Sequence, residues 1–85
     1  MSDGYHEVMG VNYRLSATSE SATGWVGIAN IRTKIAGEYG EHPLNTPSSH
    51  RSAEQAMVVA EEQLKLLCSS GALRQIVPNA YYEGL

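Results

Sequence analysis

Between Ala53 and Gly71 the chain carries one continuous apolar stripe. Ala53, Ala56, Met57, Ala60, Leu64, Leu67 and Gly71 fall at i, i+3, i+4, i+7, i+11, i+14 and i+18, the spacing of a single helix face. Ser52, followed three residues later by Gln55, makes a capping box: the hydroxyl accepts an orphan amide and the Gln reaches back. Glu54 falls in the first turn, where the helix dipole favours a negative charge. Glu61 and Lys65 form an i,i+4 pair, and Gly71 is the natural stop. Thr46 as cap with Pro47 at the first helical position is an alternative start. Ala53, Ala56 and Ala60 are small enough to let the helix axis come close to a sheet, while Met57, Leu64 and Leu67 fill the ends.

The strands that would receive this stripe lie ahead of it. Val11, Tyr13, Leu15 and Ala17 alternate with Asn12, Arg14 and Ser16, the period of a strand with one buried face. Tyr5 to Met9 could extend it, with Gly10 at a bulge or bend. Ser19 to Gly24 reads as a polar hairpin loop. A second strand is expected from about Trp25 to Thr33, with Trp25, Gly27, Ala29 and Ile31 on one face and Val26, Ile28, Asn30 and Arg32 on the other. Apolar residues on both faces suggest cover on both sides, from the C-terminal tail or another molecule. A third strand is expected between about Glu38 and Leu44 after a turn near Ala36-Gly37, anchored by Tyr39, with Pro43 marking an edge or an end. Asn45 to Ser49 is a loop by composition. Leu73 to Val77 is expected as a short strand or turn, with Pro78 holding Val77 extended. The expected fold is α+β: a three-stranded antiparallel sheet with one amphipathic helix packed on one face, a βββα two-layer sandwich. Residues 1–78 form the single domain and 79–85 a mobile or docking tail.

Charge and composition narrow the function. The 85 residues have a net charge of −3, and the six cations (Arg14, Arg32, Lys34, Arg51, Lys65 and Arg74) are scattered. Phosphate binding gains from clustered cations, so nucleic acid is a disfavoured partner. No apolar run approaches the roughly 20 residues of a membrane span, so no membrane partner is expected. Met1-Ser2-Asp3-Gly4 lacks the basic-then-apolar pattern of a secretory leader, and the expected location is cytoplasmic. One cysteine, Cys68, excludes an internal disulfide within these residues and a multi-cysteine zinc site.

Chemistry-bearing motifs are few. His6 beside Glu7 and His42 beside Glu41 are strand neighbours that point to opposite faces; with no HExxH or paired-cysteine spacing, no metal is expected. Cys68 sits near a helix C-terminus, where the dipole opposes a thiolate, and reads as a small core residue. The chain has no GxSxG elbow and no glycine-rich phosphate loop, so no catalytic residue and no cofactor are expected. Arg32 and Lys34, two apart, share a strand face that Arg14 could join across the hairpin. Val26 and Ile28 would supply apolar area and the cations a rim. Tyr81, Tyr82 and Leu85 form a second candidate, since tyrosines favour interfaces.

The order of three strands and a helix, with Trp25 opening the second strand and Ser52-Ala53-Glu54-Gln55-Ala56 opening the helix, resembles small bacterial and phage βββα proteins. It also loosely looks like the second half of a double-stranded-RNA-binding domain, in which a basic Ser-Lys-Lys run opens the helix; the matching stretch here is Ser49-His50-Arg51-Ser52. The first resemblance implies a small inhibitor that binds and blocks a host protein, and the second a nucleic-acid binder. The expected function is a non-catalytic protein-interaction module using Val26, Ile28, Arg32, Lys34, Tyr81, Tyr82 and Leu85. The alternative is a weak nucleic-acid-binding domain using the sheet face with Arg14, Arg32 and Lys34. A homodimer is a further expectation, because an uncovered apolar strand invites an isologous partner.

Overall fold

The computed structural model describes residues 4–21, 24–47 and 49–82. They form an α+β fold, an antiparallel sheet with a helix packed on it. Four strands, β1 (His6–Val8), β2 (Val11–Ser21), β3 (Gly24–Ile35) and β4 (Glu38–Asn45), follow one another as a meander; α1 (Ala53–Ser70) and α2 (Leu73–Ile76) come after them. The sheet therefore has four strands rather than the expected three. The added strand, β1, has only three residues, too few for an alternating pattern to show. Met9 and Gly10 join it to β2 with φ of 49° and 86°. Positive φ at both central residues marks a type I′ hairpin turn, whose usual signature is Asn-Gly or Asp-Gly. Met-Gly does not announce it. Ala36 and Gly37, with φ of 52° and 84°, make the corresponding turn between β3 and β4.

The β2–β3 hairpin is longer than its polar residues suggest. β2 runs on through Ser19 to Ser21, pairing with Trp25 and Gly24 across an irregularity in the register. Of the expected six-residue loop, Ser19, Ser21 and Gly24 are thus paired as strand, and Ala22 and Thr23 lie outside the described residues. Val11, Tyr13, Ala29 and Ile31 form the core with Ala60 and Leu64 of α1. Gly27 lies against the Ala56 carbonyl, so α1 touches the sheet backbone to backbone there.

The helix begins where the capping box places it. Ser52 Oγ accepts from the Gln55 amide at 3.1 Å. Gln55 Oε1 accepts from the Arg51 amide at 3.3 Å, one residue ahead of the usual box. Gly71, at φ 79°, closes α1 by donating to the Cys68 carbonyl at 3.3 Å. The alternative start at Thr46 is overturned: Thr46 is buried, its Oγ1 accepts from the Gly27 amide at 3.1 Å, and its own amide donates to the Gly27 carbonyl at 2.9 Å. Thr46 thus prolongs the pairing of β4. Leu73 to Val77 is a helical turn rather than a strand. Spaced four apart, Leu73 and Val77 both reach the core at 1% and 2% exposure, and the Val77 amide bonds the Leu73 carbonyl at 2.7 Å.

The chain then re-enters the sheet. β2 pairs with β3 only from Tyr13 onward, which leaves a gap between Val11 and the last residues of β3. Residues 79–82 fill it. The Asn79 carbonyl accepts from the Lys34 amide at 3.1 Å, the Tyr81 amide donates to the Arg32 carbonyl at 2.8 Å, and Tyr82 bridges Val11. The tail thereby completes the ladder at one end of the sheet and sends Tyr81 and Tyr82 to different sides.

Tyr13 links core and helix. Its hydroxyl donates to Glu61 Oε2 at 2.7 Å. Burial first, and then the hydrogen bond to Glu61 and its charge, push the phenol well above its usual range. The folded state thus holds this proton to higher pH than the unfolded chain. Its stabilising contribution is whole below about pH 10 and declines as pH rises past that value. Tyr13→Phe should cost about 1 kcal/mol near neutrality and flatten the alkaline decline. Urea midpoints of both proteins across the alkaline range would test this; parallel pH profiles would refute it.

Candidate functional site

Helix α1 covers one face of the sheet. The face α1 leaves free carries the even-numbered side chains of β2 as far as Thr18, those of β3 from Val26, and the odd-numbered ones of β4, since Arg14 lies opposite Asn30, Arg32 opposite Glu41 and Lys34 opposite Tyr39. At the end where the tail inserts, tyrosines and cations interleave. The Arg32 guanidinium lies 4.2 Å from the Tyr39 ring centre, 5.1 Å from that of Tyr5 and 5.8 Å from that of Tyr81. Lys34 Nζ lies 5.1 Å from Tyr39 and 5.7 Å from Tyr81. Arg14 sits 4.3 Å over the Tyr5 ring that Arg32 also approaches. Tyr39 and Tyr81 meet edge to face at 5.4 Å.

Each such contact is worth about 0.5–1 kcal/mol at an exposed site. Their larger effect is on geometry, because rings on three sides restrict the rotamers of Arg32 before anything binds. Among the described residues, the one carboxylate in the cluster is already engaged. Glu41 Oε2 lies 3.7 Å from Arg14 Nε and accepts a hydrogen bond from the Tyr5 hydroxyl. Burial, then the hydrogen bond and charge of Glu41, raise the pKa of that hydroxyl against the pull of Arg14 and Arg32. Among the described residues no carboxylate lies within ion-pair distance of Arg32 or Lys34. Among the described residues, the face thus holds two cations with no carboxylate partner, in a chain of net charge −3. The groups on offer are a guanidinium, an ammonium and phenols, which donate hydrogen bonds and stack.

The residues expected from sequence are not all here. Arg32, Lys34 and Tyr81 converge, and Arg14 joins Arg32 through the shared Tyr5 ring. Val26 and Ile28 lie on the same face further along β3, toward the hairpin; Val26 is 8% exposed and Ile28 half-buried, so Val26 offers no contact area. Tyr82 joins Met9, Val11, Cys68 and Leu73 around a cavity of about 210 Å³, with the Arg74 guanidinium 4.7 Å over its ring. Leu85 lies outside the described residues. Tyr5 and Glu41 were not anticipated as site residues, and Tyr39 was read only as a strand anchor. The Ala36-Gly37 turn contained the missing signal: a two-residue turn there places Tyr39 opposite Lys34 and Glu41 opposite Arg32. Nothing local to Tyr5 indicates its place.

His6 stacks against Tyr13 at 5.5 Å, and among the described residues no three His, Cys, Asp or Glu side chains gather in a way that could hold a metal. Burial raises the pKa of the Cys68 thiol, which opposes thiolate chemistry. Among the described residues no helix is long and apolar enough to cross a membrane. The cavity beneath Tyr82 is smaller than the roughly 300–1,000 Å³ of typical ligand pockets. No protein-family model, curated protein or solved structure matches the chain.

Proposed function

We propose that this protein is a non-catalytic interaction module that binds another protein through its open sheet face, at the cluster of Tyr5, Arg32, Lys34, Tyr39 and Tyr81. The observation that carries this reading is the packing of Arg32 among three tyrosines with no acidic partner among the described residues. Tyrosine and arginine dominate binding hot spots because they bring large contact area and directed donors together. Tyr39 is 51% exposed, so its ring has area left to give. Any blocking of a host protein would be exercised through this face.

The same cluster favours a second reading. Rings and cations on a sheet are also what single-stranded nucleic acid stacks upon. The charge supports it less. Arg14 is paired with Glu41, which leaves, among the described residues, two cations without a carboxylate partner on the face of an acidic chain.

The test is capture from nuclease-treated host lysate with the intact chain and with Tyr39→Ala, which removes a half-exposed ring from an edge strand. A stoichiometric protein captured by the intact chain and lost with Tyr39→Ala supports the module. Nucleic acid recovered from untreated lysate, with no protein partner, replaces it with the second reading.

A further inference from the structure

The occupant of this face can be specified further, resting on the interaction reading above. We infer that the cluster receives an extended acidic segment of the partner protein, added as a strand beside β4, with a carboxylate held by Arg32 and Lys34.

Two features select this chemistry. The first is charge. Arg32 and Lys34 are two residues apart on β3, and Glu41, directly opposite Arg32, is turned instead to Arg14 and Tyr5. A guanidinium held 4.2 Å over the Tyr39 ring is restrained before binding, so it presents its donor fork at low entropic cost, and that fork matches a carboxylate. The ammonium of Lys34 beside it adds a point charge. The second feature is the edge. Among the described residues β4 pairs only with β3. The Thr46 amide bonds the Gly27 carbonyl, and antiparallel pairs alternate. Gly40 and His42 therefore bond inward, while the backbone groups of Tyr39 and Glu41 point away from the sheet. Tail bonds at Arg32 and Lys34 on the far side of β3 fit the same alternation.

Pro43 falls at an outward position, where its missing N–H costs the sheet nothing and blocks further pairing. The half of β4 next to the cation cluster stays open to pairing. A strand added there would place alternate side chains beside Tyr39, within reach of Lys34 and Arg32. A peptide has the amides to match that edge and a nucleic acid does not, which favours an acidic peptide over a phosphate backbone.

The test uses the full chain and three fluorescein-labelled probes: a short Val-Glu repeat peptide, its Val-Gln counterpart, and an oligothymidylate of similar length. The Val-Glu peptide should bind saturably, weaken as NaCl is raised, and bind about tenfold tighter than the Val-Gln peptide. Arg32→Gln with Lys34→Gln should cause a similar loss, while Arg14→Gln, whose charge Glu41 already meets, should change affinity less. Amide exchange at Tyr39 and Glu41 should slow in the complex. Equal binding of both peptides, unchanged binding by a double variant that melts like the parent, or preference for the oligothymidylate would each overturn the inference. If Tyr39→Ala loses the captured lysate protein but the double variant keeps it, the interaction module stands and the acidic strand falls.

Discussion

Gly27→Ala should be among the most damaging single substitutions in this protein, costing about 3 kcal/mol or more. A Cβ on Gly27 would lie 2.0 Å from the Ala56 carbonyl oxygen and 2.6 Å from its carbon. Those are backbone atoms of α1, so no rotamer change relieves the overlap. Trimming Ala60, whose Cβ would be 3.2 Å away, does not help either. The helix must retreat, and in doing so it separates Ala60 and Leu64 from Ala29 and Ile31. Overpacking commonly costs 1–3 kcal/mol where side chains can adjust, and a rigid backbone contact should exceed that. A domain of this size has a thin core and a total stability of roughly 5–10 kcal/mol, so the urea midpoint should fall by a third or more. A midpoint within error of the parent would mean that α1 does not press on β3 at this glycine.

That contact was partly legible beforehand. Ala53, Ala56 and Ala60 announce a close approach to a sheet, and Gly27 is the smallest residue on its face of the second strand. The helix boundaries were legible because capping is local chemistry: Ser52, Gln55 and Gly71 act within a few residues of one another. β1 was read only as an extension of β2 with a bulge or bend at Gly10, since three residues joined through an αL methionine carry neither a period nor a hairpin signature of their own. For α2 the strand and turn alternatives stayed open because Pro78 bears on the conformation of Val77 alone, while the burial of Leu73 and Val77 together depends on the distant core. The cation pair Arg32 and Lys34 could be read from one strand. Their tyrosines could not, because Tyr5, Tyr39 and Tyr81 come from three separate segments that only the register and the returning tail bring together. Uneven patterning on β3 pointed to a second cover by the tail or by another molecule. The tail in fact lies within the sheet, between strands, where periodicity gives no sign of it.

The tail's placement makes ending the chain at Pro78 the other large effect. That truncation removes the carbonyl that receives the Lys34 amide, the amide that serves the Arg32 carbonyl, and the Tyr82 bridge to Val11. Val11 and Thr33, now 0% and 7% exposed, would face an open slot. Losing two hydrogen bonds at about 1 kcal/mol each, together with the burial of Tyr82 at about 25 cal/mol per Å², gives an expected loss of about 3 kcal/mol. The binding cluster should suffer too, since Tyr81 leaves and Arg32 loses the strand that anchors its carbonyl. A truncated chain that fails to bind is therefore ambiguous, and Tyr81→Ala is the necessary companion. Tyr81→Ala keeps every backbone bond of the tail and should leave the urea midpoint within about 1 kcal/mol of the parent while loosening Lys34 and Tyr39. Truncation that leaves both midpoint and binding intact would show that the slot between β2 and β3 closes without the tail. A large drop in stability on truncation, with Tyr81→Ala weakening binding alone, would assign two separate tasks to adjacent residues: Tyr82 and its backbone neighbours hold the sheet together, and Tyr81 orders the cations on its open face.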